Sequence, residues 1–170
     1  MNTYTQKTGF RYWPLVISLV ITLSIGAVAS FFTVPQIAGW YVHLNKPSFN
    51  PPNWLFGPVW TLLYIMIAIA AYLVWKRRAD SVAYAYAEYV YIFQLLFNFS
   101  WSIVFFGMHK IFLALIVIAL LWVSIIVLIF LFGKISKVAA WLLVPYLLWV
   151  SFASLLNFSI YVLNKGPLIP

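Results

Sequence analysis

The stretch from Trp40 to Tyr64, WYVHLNKPSFNPPNWLFGPVWTLLY, holds four of the nine prolines and three of the nine tryptophans of the chain. Its first part, residues 40–53, reads as a loop, because Pro47, Pro51 and Pro52 restrict the backbone and supply no N–H for a regular ladder. Its second part, from Trp54 onward, is apolar and continuous. It reads as the opening turns of a helix, with Pro58 tolerated in the first turn or kinking it. A stiff aromatic loop thus feeds directly into a long apolar helix.

Outward from this stretch the chain is apolar throughout. Of its 170 residues, 66% are hydrophobic, 21% aromatic and 7% charged, whereas soluble domains carry about a quarter charged residues. Uncharged apolar runs longer than about 18 residues are the mark of membrane-spanning helices. Five are predicted, at about 12–34, 54–75, 82–106, 111–132 and 138–163, with a loop over residues 35–53. The fold class is therefore an all-α membrane protein, a bundle of five transmembrane helices forming one domain over residues 1–170. The first run also resembles a signal peptide, with Ala27-Val28-Ala29 before Ser30. Its length exceeds the roughly 7–15 residues usual for such a region, so it reads as a retained helix. Within it Gly26 and Ser30 form a small-xxx-small pair that permits close helix approach. Pro145 lies inside the fifth run and leaves the Trp141 carbonyl without its ladder partner, predicting a bend.

The net charge of +8 would suggest nucleic acid in a soluble protein. Between membrane spans it sets topology instead. Lys7, Arg11, Lys76, Arg77, Arg78, Lys134 and Lys137 fall on one side, and Lys46, Lys110 and Lys165 on the other. That asymmetry predicts a cytoplasmic N-terminus, with the 35–53 loop and the C-terminus on the opposite face.

Side chains that hydrogen-bond are costly in lipid unless they face protein or a cavity, so the uncharged polar residues carry most information. Gln94, Asn98 and Ser102 recur at i, i+4 and i+8 beside Trp101. Trp149, Ala153, Asn157 and Tyr161 form a second i+4 stripe, and Trp60 and Tyr64 a third pair. Two readings stand side by side. The amides cross-link helices, at about 0.6–2 kcal/mol each, and the indoles belong to an interfacial belt. Alternatively, aromatic walls with a few directed polar groups enclose a small-molecule pocket, with room for a flat ligand against Ala153.

Familiar catalytic arrangements are absent from the sequence. Asp80 lies in a basic loop and Glu88 stands alone, so no carboxylate pair exists. With no cysteine, thiolate chemistry and disulfides are excluded. His43 and His109 lie in separate loops without a clustered third ligand, which argues against a metal site. Gly57–Trp60 is a turn into a helix and carries no phosphate-cradle pattern.

The motifs Lys46-Pro47, Pro51-Pro52, Phe56-Gly57-Pro58-Val59-Trp60, Leu63-Tyr64, Gln94-Leu95, Asn98, Trp101-Ser102, Pro145-Tyr146, Trp149, Phe152-Ala153 and Leu156-Asn157 resemble the TspO/MBR family. This family comprises the tryptophan-rich sensory proteins and the mitochondrial translocator protein, or peripheral benzodiazepine receptor. The resemblance covers about residues 15–164. It implies a five-helix, usually homodimeric, receptor-like membrane protein that binds tetrapyrroles such as protoporphyrin IX and haem as ligands, with no obligatory cofactor. It further implies cholesterol or other sterol binding in some members, and a role in porphyrin homeostasis or stress sensing in a bacterial inner membrane. By motif, the ligand site is expected from Trp60, Tyr64, Asn98, Trp101, Trp149, Ala153, Leu156 and Asn157, under a cover bearing Trp40, His43 and Lys46. His43 and Lys46 are expected to meet an anionic edge such as a propionate, or Lys46 to sit solvated. Trp60 and Trp149 match tryptophans tied to light-dependent porphyrin breakdown in some bacterial relatives, so an enzyme using the same pocket is the alternative. A transporter is less favoured, since there is no internal two-fold repeat and no acidic residue placed for ion coupling. Leu156, Tyr161 and Lys165 fit the permissive sterol pattern. Phe49 stands where many members carry tryptophan, which keeps the aromatic face and removes an indole donor.

Overall fold

A computed structural model of the chain describes residues 12–78 and 82–165. Lys7, Arg11 and Asp80 lie outside those residues. Six α-helices make up five membrane-length spans: α1 (Tyr12–Ala38), α2 (Phe56–Lys76), α3 (Val82–Ser102), α4 (Ile111–Ile135), and the pair α5 (Lys137–Leu142) and α6 (Val144–Leu163). Among the described residues there are no strands. The spans close into a ring in which α1 packs on α2, α2 on α5, α5 and α6 on α4, α4 on α3, and α3 back on α1. All five are long and apolar enough to cross a bilayer, and the protein is an integral multi-pass membrane protein.

Three boundaries differ from the sequence reading, each for a local reason. The first helix does not stop at Val34 but runs through Pro35 to Ala38. A proline deletes only its own N–H, and the next turn still closes, with the Gly39 N–H reaching the Pro35 carbonyl at 3.2 Å. The turn expected over residues 133–137 shrinks to Ser136, whose hydroxyl accepts from the Ala139 N–H and caps α5 while α4 continues to Ile135. The bend expected at Pro145 is a full interruption at Leu143, after which α6 restarts with the proline in its first turn. The third span ends in a π-helical turn, Ile103–Gly107, followed by His109 in the left-handed region at φ 55°.

The half of the bundle away from the 39–55 loop is packed solid. Ile67, Leu121, Ile125, Leu128, Phe132, Leu143 and Val150 meet there with essentially no exposed surface. The half beneath the loop is not filled, and that asymmetry places the site.

Candidate functional site

The loop half of the ring encloses a cavity of about 540 Å³, within the range of small-molecule sites. Its walls come from α1 (Leu23 to Ile37), the start of α2 (Phe56 to Tyr64), the end of α3 (Asn98 to Phe106) and α6 (Trp149 to Ile160). α4, whose sequence carries no polar stripe, lines none of it. Trp60, Tyr64, Asn98, Trp101, Trp149, Ala153, Leu156 and Asn157 all lie on this one cavity. The i, i+4 pattern on α2, α3 and α6 aimed these side chains at a common space.

At the deep end the polar groups form a directed chain. The Tyr64 hydroxyl donates to Asn98 Oδ1 at 2.6 Å, Asn98 Nδ2 donates to the Tyr146 hydroxyl at 3.0 Å, and Tyr146 donates to Gln94 Oε1 at 3.0 Å. A second anchor lies higher: Trp101 Nε1 donates to Asn157 Oδ1 at 3.1 Å, and Asn157 Nδ2 to the Ile111 carbonyl at 3.2 Å. Gln94, Asn98 and Asn157 all cross-link helices, and of the three Asn98 and Asn157 also line the cavity. Asn98 and Asn157 brace neighbouring helices while presenting a face to the cavity. Each amide nitrogen already donates one of its two N–H groups to protein, which limits its capacity to orient a ligand. The Trp149 indole nitrogen and the Gln94 amide nitrogen are buried without a hydrogen-bond partner, and neither has surface open to the cavity.

Aromatic rings supply most of the surface. Trp60 lies 5.6 Å from Tyr64 and 6.2 Å from Tyr146, and Trp149 lies 6.0 Å from Phe56 and 5.5 Å from Phe152. Trp101 stacks on Phe105 at 5.3 Å. Gly26 of α1 makes room for this wall, since a Cβ there would lie 2.7 Å from Tyr64 Cδ2. The sequence marked Gly26 for close helix approach only; its role as the seat of the Tyr64 ring was not legible. Nor was Tyr146, which no stripe singled out and which joins Asn98 to Gln94.

The cover departs from expectation. Trp40, His43 and Lys46 do not line the cavity. Trp40 is held outside it, stacked on His109 at 4.3 Å and edge-on to Phe105 at 5.5 Å, while the His109 ring hydrogen-bonds Gln36. His43 is exposed. Lys46 folds back on the preceding turn: its Nζ donates to the carbonyls of Tyr41, Val42 and Leu44 at 2.9, 3.1 and 2.8 Å. A lysine a few residues past a 3₁₀ turn (Tyr41–His43) reaches the carbonyls at the end of that turn more readily than a ligand below. It acts as a clasp for the loop, neither solvated nor directed at the cavity. Replacing it should therefore change the loop more than the pocket. Lys46→Ala is expected to speed proteolysis and amide exchange over residues 40–50, with ligand affinity altered by less than about threefold.

Tyr41, Asn53 and Trp54 are the loop residues that do reach the site, and Tyr41 is the buried one. It is 3% exposed, its hydroxyl donates to Asn50 Oδ1 at 2.7 Å, and burial pushes its phenol up to about 12. It stays a neutral donor at physiological pH. The loop is also tied to α6, because Asn164 Oδ1 accepts from the Asn45 N–H at 3.1 Å and Asn164 Nδ2 donates to the Asn45 carbonyl at 2.9 Å.

Among the described residues no charged side chain, imidazole, thioether or thiol lines the cavity. Of the side-chain types that ligate haem iron, the cavity offers tyrosine, and the Tyr41 and Tyr64 hydroxyls already donate to Asn50 and Asn98. The residues of the sterol pattern separate: Leu156 faces the cavity, whereas Tyr161 packs on Phe112 at 5.3 Å with Lys165 Nζ 5.2 Å from its ring centroid.

The TspO/MBR family model matches residues 17–163. The chain is similar to the tryptophan-rich protein TspO of Archaeoglobus fulgidus, 45% identical over 150 residues that cover 88% of this chain and 96% of that protein. It is 35% identical over 152 residues to the tryptophan-rich sensory protein of Cereibacter sphaeroides, covering 89% and 92% of the two chains. It is also similar to the human translocator protein, 33% identical over 156 residues, covering 91% and 92%.

Proposed function

The chain belongs to the TspO/MBR family, and from that premise we propose that it binds a flat, apolar tetrapyrrole in the cavity beneath the loop. The observation that carries this reading is a single uncharged, aromatic-walled space of about 540 Å³ with both Trp60 and Trp149 on its surface. A macrocycle buried there gains apolar contact over both faces, at roughly 25 cal/mol per Å² removed from water. Because no cationic side chain lines the site among the described residues and the Tyr41 and Tyr64 hydroxyls are committed to amide oxygens, a metal-free porphyrin such as protoporphyrin IX suits it better than haem. Its propionates would sit toward the mouth, in contact with headgroups or water, because ionised carboxylates are costly in an apolar chamber. A sterol remains the other hydrophobic ligand, held by the cavity and not by the Leu156–Tyr161–Lys165 pattern. The same premise carries two further proposals: a homodimer, and a cytoplasmic N-terminus in a bacterial inner membrane.

Quenching of tryptophan fluorescence by protoporphyrin IX tests the reading. Trp60→Phe with Trp149→Phe is expected to weaken binding about tenfold or more. An unchanged affinity in the double variant would remove both residues from the site. The position of both indoles on one cavity also favours a second reading, light-dependent porphyrin breakdown with dioxygen as oxidant. Product beyond one equivalent per protein under illumination would support that reading, and a stoichiometric loss would exclude turnover.

A further inference from the structure

We propose that the cavity is loaded sideways, from the bilayer, through a window between α1 and α2, and not through the loop that covers it. The window's rim is made by Ala27, Ser30 and Val34 of α1, by Gly57 and Thr61 at the start of α2, and by Trp54 in the 3₁₀ turn that leads into it. These six line the cavity and are all exposed, Val34 at 63% and Trp54 at 71%, more than a closed wall would leave. A residue that is both cavity wall and outer surface marks an opening. Four of the six, Ala27, Ser30, Gly57 and Thr61, are small and leave the gap without bulky side chains to close it.

The opening faces lipid. α1 is the least covered span, with only Thr22 and Ala29 buried among its described residues. Ala27 lies 11 residues before the helix end at Ala38, about 16 Å along the axis. That is close to the middle of a hydrocarbon layer about 30 Å thick. Outside the rim the opening continues into a shallow trough along α1, which shares Leu23 and Ala27 with the cavity and extends to Val16. The rim's hydroxyls suit an apolar passage, since Ser30 donates to the Ala27 carbonyl at 2.6 Å and Thr61 to the Gly57 carbonyl at 2.9 Å. With their donors satisfied within their own helices, they present mainly methyl and methylene groups to the window.

The aqueous side is fastened. Tyr41 is buried and bonded to Asn50, Lys46 clasps three carbonyls, and the paired amide bonds between Asn45 and Asn164 join the loop to α6. Loading through the loop would have to undo these contacts, whereas loading through the window undoes none. The ligand class that follows is one already dissolved in the membrane. This route rests on the tetrapyrrole reading only for what enters, not for where.

The test needs no porphyrin. The chain has no cysteine, so Ala153→Cys places a single thiol on the α6 wall of the cavity. In phosphatidylcholine vesicles, bilayer-soluble pyrene maleimide is expected to label it at least about tenfold faster than a charged, membrane-impermeant methanethiosulfonate. Gly57→Trp should slow the pyrene reagent about tenfold or more; a side chain at Gly57 meets no atom within 4 Å at its Cβ, so the helix should accept it. Thr61→Trp serves as an independent plug. Labelling by the charged reagent at a comparable rate, no labelling by either reagent, or a pyrene rate indifferent to both plugs would overturn the proposal. A porphyrin titration on the unmodified chain reports separately on the ligand.

Discussion

Gly26→Val is expected to cost about 2–4 kcal/mol of stability and to weaken ligand binding by about tenfold or more. The new methyl groups would occupy space held by the Tyr64 ring, whose Cδ2 and Cζ lie 2.7 and 3.2 Å from the position of an added Cβ. The ring cannot simply step aside. Its hydroxyl is bonded to Asn98 at 2.6 Å and its face is packed by Trp60 at 5.6 Å. Either the ring turns into the cavity and breaks the polar chain, or α1 moves off α2 along their whole contact. Gly26→Ala should give an intermediate loss. Thermal unfolding in detergent, with a porphyrin titration on each variant, measures both effects. A valine variant as stable and as tight-binding as the parent would show that α1 does not seat Tyr64.

The second large effect is expected at Asn98. Asn98→Leu keeps the volume but leaves the buried Tyr64 hydroxyl without its acceptor and the Tyr146 hydroxyl without its donor. Orphaned buried polar groups cost about 1–3 kcal/mol each, and Tyr146 retains Gln94, so the total should be about 2–4 kcal/mol. Adding Tyr64→Phe removes the orphan, and the double variant should be more stable than the sum of the two single losses implies. Strict additivity would mean that the two side chains act independently and that the chain of bonds is incidental.

How much of this was legible beforehand depends on which signal each feature uses. The five spans follow from run length, because lipid admits only helices with satisfied backbones. Their ends do not, because a boundary is decided by single rungs. Pro35 removes one hydrogen bond and the helix continues to Ala38, while Leu143 interrupts a span whose composition does not change. On α2, α3 and α6 the site was visible because polar or aromatic residues at i+4 stand out against an aliphatic background. α1 also contributes wall, yet its residues there are aliphatic, glycine or small hydroxyl residues with no amide or aromatic ring among them, so periodicity gives no sign of them. Gly26 acquires meaning only against Tyr64, a partner on another helix. Lys46 shows the converse error. A cation beside a suspected pocket invites an anionic ligand, and what decided its place was the set of three carbonyls within reach of its own flexible stem.

The central claim is that a flat tetrapyrrole lies inside the ring of helices, against Trp60 and Trp149 and above the Tyr64–Asn98–Tyr146 chain. An experimental structure of the protein saturated with protoporphyrin IX tests it most directly. The macrocycle is expected in the cavity, in contact with both indoles, with its propionates directed to the mouth between α1 and α2. A porphyrin found on the outer surface of the bundle, with the cavity free of it, would contradict the account.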